Sequence, residues 1–592
     1  MPNDTPSADT DVAVPRKKRS IYRWLIGAFV VLLLLFCFQL FGPNPRIIVS
    51  PQTTYITDPL RADGLPDYEK YVLNLYRNGV TPENNAAALL WPAIGPSDLG
   101  PAENALVCAE LGLGGIPQES EALAPIDTHI KRTIAQWSSH PQAASPSMPA
   151  QEENNQESDD FGPPSMEQLV DRYTDRLNSR PWTTAEFPLI AEWAQDNQAP
   201  FDQIVAASHR PRCYFPSAAL LGSQDGTLPS ISFPGQESTR NACRALIIRA
   251  LWHVGEHRNA DAWRDLLAIH RLGRLIAQGP FLIEQLIGFS VIGIASTGTL
   301  QLLHEGNLTP DEARGVLHDL ESLPPLLGVV NSTNNAERVS LLETCIQLSQ
   351  HQIVSNRNDD FDLGDSFSHL LQLNIDWNIV LRKATDDFDR CVAAVRLPTY
   401  SARHQALRQF FDGQANDSAN RFTMRPIVAS VFNPRARSET VADIIVACLM
   451  PNVDMGVTAD VGTKTRLELL HIATALTIYR ADHGSYPESP EALVPNILPT
   501  LPVDLYNTKP FAYKRIDGGY LLYSLGPNGI NDGGSSENEG DDGMQGVRLE
   551  ELTRDELERL NPQIPTGADD IAIRVPLPPI KLPKLASQPA HP

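Results

Sequence analysis

The sequence predicts one transmembrane helix, then a mainly α-helical exported domain, then a small α+β C-terminal domain with an antiparallel sheet. Three observations lead there. An uncharged apolar run follows the basic cluster Arg16-Lys17-Lys18-Arg19. Apolar residues recur at helical spacing through most of 166–450. Near the C-terminus, Asp517-Gly518-Gly519 separates two short β-rich runs, a strong hairpin signal.

The anchor comes first. From Trp24 to Leu40 there is no charged residue, and Gln39 is the one strongly polar side chain. About 20 helical residues span a hydrocarbon core of roughly 30 Å. The flanking Arg and Lys, with Arg23, place the N-terminal side in the cytoplasm by the positive-inside rule, and Tyr22 and Trp24 suit the headgroup boundary. A cleaved signal peptide is the alternative. Its apolar run is shorter and ends in a small-residue cleavage site, whereas this one exits into Phe41-Gly42-Pro43. The expected order is therefore a cytoplasmic tail at 1–20 and a transmembrane helix at 21–41, in the inner membrane. The rest lies in the periplasm or outside the cell.

Composition limits the partners. The 592 residues carry a formal net charge of -23. That balance argues against non-specific nucleic-acid binding, which needs Lys and Arg to neutralise phosphates. It also argues against the exported part lying flat on an anionic membrane. It suits a hard cation such as calcium. Pro outnumbers Gly, 49 to 37, which points to loops and linkers. Six cysteines follow the anchor, in a compartment that permits disulfides: Cys108, Cys213, Cys243, Cys345, Cys391 and Cys448. Fifteen full pairings are open to them, with buried free thiols as the alternative.

The exported part divides by texture. A helical segment is expected at 67–139. Its first helix starts near Asp67 and stops at Gly79, and its second starts at Thr81-Pro82 and runs to Pro92. Residues 140–165 have almost no large apolar side chains and read as a flexible linker or loop. An α-helical domain follows at 166–450, in which Thr309-Pro310-Asp311-Glu312 is a good helix N-terminus. Within it, the run 281–303 is apolar enough to weigh as a second membrane span. Glu284, Gln285 and several Gly, Ser and Thr residues favour a buried helix instead. Asn85–Trp91 and Ala262–Leu272 resemble elements of uncharacterised bacterial membrane-anchored proteins, a likeness that implies no activity.

The richest signal starts near Thr463. A helix carrying Leu467, Leu470, Ala473 and Leu476 ends at Gly484, followed by Tyr486-Pro487. The step Leu501-Pro502-Val503-Asp504, the hairpin, and Tyr523-Ser524-Leu525-Gly526-Pro527-Asn528-Gly529 come next. Asp569-Asp570-Ile571 opens a last alternating strand. This order resembles the soluble domain of the type II secretion major pseudopilin, protein G, over 463–576. The resemblance implies a calcium site, with the carbonyl of Leu525 and the side chains of Asn528, Asp569 and Asp570. Asp532 joins by proximity. Independently, calcium takes six to eight oxygens at about 2.3–2.6 Å, and a Gly-rich loop poor in apolar residues can be ordered by an ion. The alternative is a solvated acidic loop. Two departures stand out. Asn528 replaces the family's Asp, and an insertion with an acidic helix separates Gly534 from Ala568. The pilin cleavage motif is absent before Ile21, so processing as a pilus subunit is not expected. Residues 577–592 read as a Pro-rich disordered tail.

The expected role is structural or in protein interaction within the cell envelope. One enzymatic alternative remains. His253-Val254-Gly255-Glu256-His257 fits H-x-x-E-H, in which two His on one helical face bind zinc and Glu activates water. Glu284 is the candidate third ligand. The competing reading is a helix end at Gly255 with surface His residues. His270, on the next helix, is expected as a partly buried packing residue.

Overall fold

In a computed structural model, the structure describes residues 17–95, 99–115, 117, 122–139, 165–222, 228, 231–350, 371–421, 429–536 and 567–576. The expected linker before Ser165, the acidic insertion, the tail after 576 and nearly all of 1–20 lie outside these residues. The chain is mainly helical with one small three-stranded antiparallel sheet.

Helix α1 spans Lys17–Phe41. The chain then builds α2 (Tyr68–Arg77), α3 (Ala87–Ile94), α4 (Pro101–Glu110), α5 (Asp127–Ser139), α6 (Met166–Ser179), α7 (Pro188–Asp196) and α8 (Gln198–Ala207). Three long helices follow, α9 (Pro234–Gly255), α10 (Asn259–Ile276) and α11 (Leu282–Glu305), then α12 (Pro310–Glu321). A short α13 (Val330–Ser332) passes through a π-helical turn, Thr333–Glu337, into α14 (Arg338–Ser349). Helices α15 (Trp377–Val395), α16 (Tyr400–Arg421), α17 (Pro434–Leu449) and α18 (Val453–His483) complete the helical part.

Several ends form as the sequence predicts. Asp67 caps α2 by accepting from Lys70 N, and Thr309 and Glu312 close a capping box on α12. Gly484 ends α18 in the left-handed conformation, φ 78°. One start moves. Helix α3 begins at Ala87, not at Pro82, because the Asn85 side chain is taken up by the backbone of Tyr214, donating to its carbonyl at 2.9 Å and accepting from its N–H at 2.8 Å. The helix then runs through Pro92 to Ile94.

Two cores hold the body. Helices α9, α10 and α11 pack against one another, and α11 packs on α18. Small residues let them approach. A Cβ on Gly273 would stand 2.9 Å from the Gly288 carbonyl oxygen, and one on Gly288 would stand 2.6 Å from that of Gly273. This core runs without a break from Ala86 to Val575, so it includes the sheet. The second core joins α2, α14, α15 and α17 around Trp377, Phe388 and Val441.

Strands β1 (Ala512–Ile516), β2 (Gly519–Ser524) and β3 (Ile571–Val575) form the sheet, in the order β1-β2-β3. Asp517-Gly518 makes the tight turn, with Gly518 at φ 73° and Ile516 paired to Gly519. Helix α18 lies under β2 and β3. It starts at Val453, ten residues before the expected Thr463, and packs on α11, α12 and α16 before it reaches the sheet.

By length and composition the single span expected is one of three candidates: among the described residues, Tyr22–Phe41, Leu282–Glu305 and Pro434–His483 are each long and apolar enough to cross a membrane. They differ in surroundings. None of the first is buried inside the fold, whereas 78% of the second and 56% of the third are. A helix enclosed by other helices becomes apolar all round for the same reason as one enclosed by lipid, so composition does not separate them.

Candidate metal centre

The C-terminal loop gathers at the end of β2, where Gly526 turns with φ 61°. Gly is required there. A Cβ would stand 2.1 Å from the Asp569 carbonyl oxygen and 2.4 Å from its Oδ1. The returning chain is fixed by a bridge between Ser536 and Asp569 and by the Asp570 N–H, which donates to the Ser535 carbonyl at 3.2 Å. The sequence separation of Asp569 from the loop is thereby closed.

Each carboxylate has one oxygen occupied and one bare. Asp569 Oδ2 accepts from Asn528 N at 3.0 Å. Asp570 Oδ2 accepts from Asp532 N at 3.0 Å and Gly534 N at 2.8 Å. The Oδ1 atoms of both are buried and have no hydrogen-bond partner among the described residues. Burial pushes both carboxyls up to about 6. Bonds from the loop N–H groups oppose that, and the charge of Asp532 adds to it. Two desolvated carboxylates with bare oxygens beside a third acid are a donor set suited to a hard cation.

Asn528 does part of a cation's work without one. Its Nδ2 donates to the Gly567 carbonyl at 2.9 Å and to Asp532 Oδ2 at 3.3 Å, tying the loop to the returning chain. Leu525 is held through its N–H, which donates to Asp504 Oδ2 at 3.2 Å. The loop thus brings Asn528, Asp532, Asp569 and Asp570 together. Among the described residues, no group of three or more His, Cys, Asp or Glu side chains is already arranged to hold a metal ion. Binding would therefore require Asp532 to leave Asn528 and turn inward.

Asp504 is the member that sequence reasoning assigned no role. It is buried and accepts from Tyr506 N, Asn507 Nδ2 and Leu525 N, so it fixes the loop's first residue. The signal available was its place at the end of the Leu-Pro-Val-Asp step.

The H-x-x-E-H segment does not assemble. Helix α9 ends at Gly255, and His257 lies beyond it at φ 57°, exposed, while His253 is buried on the helix. Glu256 Oε1 accepts from Thr184 N at 2.7 Å. The cause is local. Gly255 lies so close to Trp182 that a Cβ would stand 2.0 Å from its carbonyl oxygen. Burial, with Arg258 and Arg249 nearby, lowers His253 to about 4. Its neighbour Asp265 is held by Arg249 in a buried bidentate pair at 2.7 and 2.8 Å. Glu284 is engaged elsewhere, accepting from Tyr76 Oη at 2.7 Å and Gln236 Nε2 at 2.6 Å. His270 is fully buried against Thr299 Oγ1 at 3.1 Å.

The cysteines stand as free thiols. Burial raises those of Cys243, Cys345 and Cys391 to about 12, which keeps them protonated and unreactive. Comparison with protein-family models, with curated proteins and with solved structures finds no match.

Proposed function

We propose that this chain is a membrane-anchored envelope protein with a structural or protein-interaction role. On this reading Tyr22–Phe41 crosses the inner membrane once, with the N-terminus in the cytoplasm and the bulk outside it. The observation that carries the reading is that this stretch is apolar and none of it is buried inside the fold. Leu282–Glu305 and Pro434–His483 stay within the exported body, since most of each window is covered by other helices.

The C-terminal module is read as protein G-like, with a calcium site at Asp569 and Asp570. The bare, buried Oδ1 atoms of this pair support it. Calcium would supply positive charge to both carboxylates, with Asp532 and the Leu525 carbonyl as further donors. Asn528 and the Gly-rich backbone keep those donors within one turn.

The test is protease accessibility of the full chain carrying a tag at each end. In spheroplasts the C-terminal tag should be digested and the N-terminal tag protected. Protection of the C-terminal tag, with digestion after lysis, would overturn the topology.

A further inference from the structure

The end of α1 is not a free tether. Two of its last carbonyls, those of Gln39 and Leu40, which an isolated helix leaves unpaired, are engaged by the exported body. Asn374 N donates to Leu40 O at 2.7 Å, and Asn374 Nδ2 reaches Pro43 O at 2.6 Å. The Arg437 guanidinium is wholly buried. It donates to Gln39 O at 2.8 Å, Ser430 O at 3.0 Å and Asn374 O at 2.7 Å. A cation at a helix C-terminus is favoured by the helix dipole as well.

This clamp carries a second element down beside the span. The helical residues 429–432 lie along α1. Gln39 Nε2 donates to the Val431 carbonyl at 3.5 Å, and the rings of Phe36 and Phe432 lie 5.4 Å apart, tilted by 33°. Phe36 sits five residues inside the apolar stretch that ends at Phe41, about 7.5 Å below its end at 1.5 Å per residue. Phe432 shares that depth, yet 66% of it is uncovered by protein. A large aromatic ring left bare at the level of a membrane helix has hydrocarbon as its natural surrounding.

We propose that residues 429–432 form a second membrane contact, in which Phe432 enters the leaflet on the exit side of α1. The exported body then sits in a fixed orientation on the bilayer. This inference rests on the reading of Tyr22–Phe41 as the span. The contact is apolar, so the chain's acidic balance does not oppose it.

The test uses the full chain with Cys37 and Cys448, the exposed cysteines, changed to Ser, reconstituted in phosphatidylcholine vesicles. A spin label is placed at Phe432→Cys, Phe29→Cys or Ile530→Cys in turn. All three sites are exposed on the protein, so the fold tolerates the change. Collision with oxygen, which concentrates in lipid, is compared with collision with an aqueous nickel chelate. The ratio at 432 should match that at 29 and exceed that at 530 severalfold. A lipid ratio at 29 with an aqueous ratio at 432 overturns the docking and leaves the anchor standing. Aqueous ratios at both sites overturn the anchor and this inference with it.

Discussion

Removing the negative charge from Asp569 and Asp570 should separate their two effects on the fold. Both carboxyls are raised to about 6 from the ordinary 3.8. For raised acids, stability is fully present below the unfolded value and is lost as pH rises through the folded value. The ion-free protein should therefore lose stability between about pH 4 and 6. Each unit is worth about 1.4 kcal/mol, and after discounting for solvent screening the pair costs roughly 2–4 kcal/mol at neutral pH. Calcium at a hundredfold excess over its Kd returns about 2.7 kcal/mol. Because the sheet shares its core with the helices, the response should be spread over the whole body. At about 2.1 cal/mol/K per residue, a body of this size has an unfolding entropy near 1 kcal/mol/K, so Tm should rise by about 3 °C. A module melting alone would shift several times further. The assay is thermal unfolding of the full chain in detergent at pH 7.5, with excess calcium or with chelator. D569N/D570N should melt in chelator no lower than the unchanged chain and should ignore calcium. An unchanged Tm for the natural sequence in calcium would refute the site. A shift that survives D569N/D570N would move the ion elsewhere.

Other outcomes follow from single contacts. N528D should lower Tm in chelator, since its Nδ2 bonds to Gly567 and Asp532 are lost. In calcium it should bind more tightly, read by titration calorimetry. G255A should cost about 3 kcal/mol or more in chemical denaturation, because the new Cβ meets the Trp182 carbonyl. R249M should cost about 3 kcal/mol by removing the bidentate partner of buried Asp265, which keeps only the longer bond from Arg264 Nε at 3.3 Å. Glu343 is buried, accepts from Leu228 N at 2.8 Å and is pushed up to about 7 by that burial. Its contribution is lost as pH rises from about 4.5 through 7, so E343Q should flatten stability against pH across that window.

What the sequence disclosed, it disclosed where one residue type has one physical job. The left-handed cap at Gly484, the Asp517-Gly518 turn and the capping box at Thr309 are all of that kind. Tertiary approach was hidden. Gly456 lowers helical propensity at the start of α18, yet a Cβ there would stand 2.9 Å from Leu282 Cδ1. The residue that weakens the local signal is the one that lets the helix dock. The same holds for Asn85, whose side chain binds the Tyr214 backbone as well as accepting from Ala87 N of its own helix. At the C-terminal loop, the return of Asp569 and Asp570 beside Asn528 was legible only through the order of the surrounding motifs. The anchoring role of Asp504 was not, because it depends on a backbone contact across 21 residues.

Helix α18 has 31 residues, about 46 Å at its rise per residue, and no interruption marks where the helical body ends and the sheet begins. Mechanically it is a single strut. A load applied to the sheet, by a partner pulling on it or by the membrane tilting, reaches α11 and α16 through that strut without a hinge to absorb it. A protein built this way reports strain rather than yielding to it, and a cut between body and sheet would leave both halves with a raw apolar flank.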